Sequence, residues 1–135
     1  MKIEQHEEAY KEHLNNLKRA IEEGLHENQR NISYNVSQGS VELFAIFLHK
    51  LNLIQGSGEQ FDHRIFKNIS LIKEKLPLQF PEKEKILKLM KDIETERSAL
   101  CYGNRKPIDR IEKMIHSFNN LREIINLKLN KNGKK

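Results

Sequence analysis

Pro81–Pro107, PEKEKILKLMKDIETERSALCYGNRKP, has the periodicity of one amphipathic helix with an arginine on its inner side. Ile86, Met90, Ile93 and Leu100 recur at helical spacing and define an apolar face. Arg97 falls on that face, four residues after Ile93 and three before Leu100. A guanidinium among core positions must be paired or must face a cleft, because an unpaired buried charge is costly. The carboxylates of Glu94, Glu96 and Glu42 are its expected partners. Tyr102-Gly103-Asn104 reads as the helix end, with Gly or Asn free to take the left-handed cap.

Outward from this stretch the chain reads as helices throughout. Ile3, Tyr10, Leu14, Leu17, Ile21 and Leu25 predict a first helix from about Lys2 into the twenties. A second is expected from Asn31 or Ser33, both able caps, to about Ile54. Val41, Leu43, Phe44, Ile46, Phe47, Leu48 and Leu51 cover most of its circumference, so it should be the central helix. Gly39 in its interior suggests close approach by a neighbouring helix. Residues 55–61, QGSGEQF, read as a loop, after which Asp62 can cap a third, shorter helix over residues 63–76 that stops before Pro77. His63 and Arg64 in its first turn oppose the helix dipole and call for a carboxylate or another anion. The fourth helix is expected to open at Pro81 and the fifth at Pro107. In the fifth, Ile108, Ile111, Ile115, Phe118, Leu121, Ile125 and Leu129 form the core stripe, and a basic tail frays from about residue 130. The expected architecture is all-α: a single-domain, antiparallel up-and-down bundle of four to five helices spanning residues 1–135.

Composition narrows the function classes. Charged residues make up 32% and hydrophobics 37% of 135 residues, without tryptophan, which is the profile of a charge-coated helical protein. No apolar run approaches membrane-spanning length, and the polar opening MKIEQHEEAYKEH does not read as a secretory leader. The single Cys101 fits a reducing compartment, so a cytoplasmic location without membrane association is expected. The net charge of +5 permits nucleic-acid binding. Gly-rich phosphate loops, paired cysteines, H-E-x-x-H and nucleophile elbows are all missing, and His6 with His13 are too few ligands for a metal. No cofactor and no metal are expected.

The helix order and the segment Glu96-Arg97-Ser98-Ala99-Leu100-Cys101-Tyr102-Gly103 resemble the HEPN superfamily of small helical proteins, many of them toxin-type or antiviral ribonucleases. The family signature is an arginine, often followed by a polar residue, with a histidine four to six residues on, at the end of the next-to-last long helix. Arg97 stands at the arginine place, Ser98 in the polar slot, and Tyr102 where the histidine is expected. The chain also looks like a smaller archaeal group sharing an E-R-x-x-L-C-Y-G segment; that likeness extends to residues 39–53 and to His63-Arg64, and carries little functional content. What the HEPN resemblance implies is a metal-independent site working at a 2′-OH and a phosphate, a homodimer whose motif segments meet, and an antitoxin or nucleotidyltransferase partner.

Tyr102 changes that expectation. A phenol with a pKa of about 10 exchanges protons poorly near neutrality, unlike an imidazole. Arg110 and His116 match the spacing formally but lie about 120° apart around a helix. Three readings remain. The first is an RNA- or nucleotide-binding domain with little or no cleavage, using Arg97, Tyr102, His63 and Arg64, with Glu96, Asn104, Arg105 and Lys106 completing a basic cleft. The second is an active ribonuclease in which His63 supplies the imidazole. The third is a structural or partner-binding bundle in which Arg97 is a paired core residue.

Overall fold

The computed structural model describes residues 2–54 and 62–133, with side chains to residue 130. The predicted loop over 55–61 and the tip of the basic tail lie outside the described residues. Five α-helices follow one another: α1 (Ile3–Glu23), α2 (Gln29–Lys50), α3 (Ile69–Lys75), α4 (Lys83–Leu100) and α5 (Ile108–Gly133), with a 3₁₀ turn at His63–Lys67 before α3. No strand forms among the described residues. The protein is an all-α bundle, as its periodicities predict.

Cross-helix contacts give the directions. His13 of α1 meets Asn35 of α2 while His6 meets Glu42, so these helices run antiparallel. Arg97 of α4 meets Ser37 while Leu100 meets Gln29, so α4 is antiparallel to α2 as well. Glu96 pairs with Arg110 across the turn from α4 into α5. α2 packs on α1, α4 and α5, which is why most of its 22 residues are buried and why it is the central helix. At Gly39 an added Cβ would sit 3.5 Å from both His13 Cβ of α1 and Phe118 Cζ of α5. Three helices converge there, but through side chains at ordinary van der Waals distance, so the close backbone approach expected of that glycine is not found. Phe44 and Phe47 meet Phe80, and Phe44 also meets Phe66, at 5.5–6.0 Å in edge-to-face geometry. These rings pin the 3₁₀ turn and the strand-like connector before α4 onto α2.

Element boundaries depart from expectation where side chains bind backbone. α2 begins at Gln29 with Asn28 at its cap position, not at Asn31 or Ser33. The Ser33 hydroxyl turns back to the Arg30 carbonyl and Asn35 to the Asn31 carbonyl, so these polar residues lie inside the helix. It ends at Lys50, not Ile54. Asn52 takes φ +59°, with Leu53 N–H bonded to Leu48 O and Asn52 N–H to His49 O. Those two bonds and the left-handed residue form a Schellman cap. The predicted helix over 63–76 is broken at Asn68, which is extended and whose side chain accepts from Leu71 N–H at 2.7 Å. α4 opens at Lys83, two residues beyond Pro81, because Glu82 adopts φ +61°. In α5 the innermost stripe runs through Met114, with Ile115 only partly buried and Ile108 47% exposed.

Candidate functional site

Arg97 lies on the inner face of α4, as its spacing predicts, and is 8% exposed. Its Nη1 donates to Ser37 Oγ at 3.1 Å and to Gln38 Oε1 at 2.8 Å. The guanidinium carbon stands 5.4 Å from the centre of the Tyr34 ring, a cation–π arrangement. Nε is buried without a partner. All of these neighbours are on α2, and none is charged.

The expected ion pairs of Arg97 are corrected by this geometry. Glu94 is 4% exposed and accepts from His63, whose Nδ1 is 2.9 Å from both carboxylate oxygens. Glu96 accepts from Arg110 Nη2 at 2.9 Å, and this bidentate contact raises the Arg110 pKa. Glu42 is 2.7 Å from His6 Nδ1, beside the His49 ring. Each carboxylate predicted for Arg97 therefore serves another cation or imidazole. Among the described residues none forms an ion pair with Arg97.

His63 reaches α4 from the 3₁₀ turn and docks one helical turn from Arg97, on Glu94. With Nδ1 facing the carboxylate, the other ring nitrogen is left for a further partner. Arg64 is 72% exposed and folds back on Asp62, donating through Nε and Nη2. Those hydrogen bonds lower the Asp62 pKa from 3.8 to about 2. The basic pair set against the helix dipole thus finds two carboxylates.

Tyr102 and the basic connector go elsewhere. Tyr102 is 64% exposed beyond the end of α4, and the aromatic ring against Arg97 is Tyr34, which the motif spacing does not reveal. Buried Gln29 donates to the carbonyls of Leu100 and Asn104 and accepts from Lys106 N–H. Arg30 donates to the Gly103 carbonyl, where φ is +78°, and Arg105 donates to the His26 carbonyl. Cys101 Sγ and Ser33 Oγ share a hydrogen bond at 3.0 Å. Asn104 and Lys106 are therefore strapped to the first turn of α2 and Arg105 to the turn just before it. Gln29 and Ser37 are eight residues apart, about 12 Å along the helix. The structure brings His63, on Glu94, within one helical turn of Arg97, holds residues 104–106 near the start of α2, and pairs Arg64 with Asp62 and Glu96 with Arg110 away from both.

Sequence reasoning missed the α2 side of the site. Gln29, Ser33, Ser37 and Ser40 are all buried and step by four, four and three. Polar residues at core spacing were the available signal. Tyr34 and Gln38 follow the same period on the neighbouring, more exposed stripe. On the α1 side, His13 Nδ1 meets Asn35 Oδ1 at 2.9 Å, and its ring stands edge-on to Tyr34 at 5.9 Å. Tyr34 is thus flanked by an imidazole and a guanidinium while remaining 46% exposed.

A separate cavity of about 430 Å³ between α4 and α5 is lined by Lys85, Lys88, Leu89, Asn120, Glu123 and Ile124. Its lining holds no buried polar side chain, so it carries less chemistry than the α2–α4 seam. Among the described residues no group of three or more His, Cys, Asp or Glu is placed to hold a metal ion. Among the described residues no helix is long and apolar enough to cross a membrane. No family model, no curated protein and no solved structure matches the chain.

Proposed function

We propose that this protein is a HEPN-like RNA- or nucleotide-binding helical domain with little or no ribonuclease activity. The observation that carries the reading is Arg97: a residue 8% exposed, its guanidinium held by neutral acceptors and without a carboxylate among the described residues. A core arginine kept only for stability is ordinarily neutralised, because desolvating its charge costs several kcal/mol. An arginine awaiting phosphate is held in place and left uncompensated. Tyr102, at the place of the signature histidine, is 64% exposed beyond the end of α4, and the ring against the guanidinium is that of Tyr34.

One observation favours a second reading, an active metal-independent ribonuclease. His63 is held by buried Glu94 one turn from Arg97, so an oriented imidazole and a guanidinium share one side of α4. In that reading His63 takes the proton from the 2′-OH and Arg97 stabilises the charge developing on the phosphate. Pairing of two copies through their motif ends belongs to the same proposal, supported by half-exposed Ile108 beside the connector.

The test is a titration of single-stranded RNA against wild type and Arg97→Met, alongside melts and cleavage assays. Binding lost in a variant that melts like wild type supports the proposal. Equal RNA affinity in both proteins defeats it. Cleavage abolished by His63→Ala selects the second reading.

A further inference from the structure

The seam between α2 and α4 has more to offer a ligand than a single cation. Nη1 of Arg97 is occupied by Ser37 and Gln38, whereas Nε has no partner and Nη2 makes no hydrogen bond among the described residues. The Nε–Nη2 edge is the one that grips two oxygens of a single phosphate. Gln38 gives its Oε1 to Arg97, which leaves its amide NH₂ as a donor at the same point. Tyr34, one turn before Gln38, presents a half-exposed ring against the guanidinium. Asn35, 3% exposed, anchors His13 edge-on to that ring and is itself fixed on Asn31. The ring therefore touches a guanidinium and an imidazole and remains 46% exposed.

Resting on the RNA- or nucleotide-binding reading, we infer that this seam holds one nucleoside phosphate unit, with the phosphate on the free edge of Arg97 and the base against Tyr34. An inorganic anion satisfies Arg97 alone and leaves the ring unused. A nucleoside without phosphate leaves the buried charge uncompensated. Only a ligand carrying a flat ring next to an anion uses both features. Base stacking on an aromatic side chain is indifferent to base identity, so the site should tolerate different bases. The unit is either a free mononucleotide or an unpaired residue of an RNA strand, whose base is open to stacking.

The experiment titrates four probes into the wild type by calorimetry: inorganic phosphate, adenosine, adenosine 5′-monophosphate and an eight-residue single-stranded RNA. The mononucleotide is expected to bind about tenfold tighter than phosphate, and adenosine not measurably. Tyr34→Ala should erase that tenfold margin while Tyr34→Phe, which keeps the ring and the fold, preserves it. Arg97→Met should lose phosphate and mononucleotide together. If mononucleotide and phosphate bind wild type equally, or Tyr34→Ala leaves mononucleotide binding unchanged, the inference is overturned. RNA binding that survives Tyr34→Ala at full strength also overturns it, yet leaves the RNA-binding proposal standing. A strand bound much tighter than the mononucleotide, with the same Tyr34 dependence, supports the inference and identifies RNA as the source of the unit.

Discussion

Arg97 and His63 sit one turn apart on the same assembly and should respond oppositely to removal. Arg97 leaves no buried carboxylate behind, so Arg97→Met exchanges an uncompensated charge for an aliphatic chain of similar length. Urea melts are expected to find its stability within about 1 kcal/mol of wild type, instead of the 3–5 kcal/mol loss expected of a broken buried pair. His63→Ala does strand a carboxylate, that of Glu94 at 4% exposure. It should cost about 3 kcal/mol in the same measurement, and Glu94→Gln introduced with it should recover part of that loss. Asp62 gives the pH dependence its sign. Arg64 holds its folded pKa at about 2 against an ordinary 3.8, so its contribution is present above that ordinary value and is lost as pH falls toward the folded one. Carboxyl NMR titration of Asp62 in wild type and Arg64→Ala checks this, with the midpoint moving up in the variant. The pair is largely exposed, so the effect on overall stability should be small.

Among the elements, α2 is held at each end by a device with a measurable effect. At its start Gln29 satisfies two carbonyls and one N–H of the connector between α4 and α5. Gln29→Leu fills the same space but leaves those groups unpaired, and should cost about 2–4 kcal/mol. Hydrogen exchange at the Lys106 amide should quicken in that variant well before α5 itself loosens. At its end Asn52 supplies the left-handed residue of the cap. Asn52→Ala should cost about 1 kcal/mol by thermal melt, and Asn52→Gly should cost nothing. The helix faces were legible because periodicity reports burial directly. Both ends of α2 were misplaced because Asn28, Ser33 and Asn52 each suit a cap, a turn or a helix interior equally well. The folded chain chose among these uses: Ser33 meets Cys101, 68 residues on, while Gln29 ties the helix start to Leu100 and Asn104.

For the whole molecule, an excess of lysine and arginine gives a net charge of +5, spread over the connector, the tail and the 3₁₀ turn. RNA affinity should therefore fall linearly in log K against log salt as counterions are released. Fluorescence anisotropy from about 50 mM to 200 mM salt measures the slope. Arg97→Met should lower affinity at every salt concentration, whereas Arg105→Ala should mainly flatten the slope. An affinity indifferent to salt would place the charge of the surface outside the binding event.

Some properties of this protein are local and were set by the order of residues alone. The all-α class, the central position of α2 and the burial of Arg97 all follow from spacing, since a helix turns the same residues inward whatever packs against them. Partner choice is different. Glu42, Glu94 and Glu96 were each within plausible reach of Arg97, yet His6, His63 and Arg110 hold them. Tyr102 is only five residues from Arg97 in sequence, but Tyr34, 63 residues away, is next to it in space. A charge finds its counter-charge only when helices have docked in one register, and that register is a property of the buried core shared by α1, α2, α4 and α5, not of the residues beside the charge in sequence.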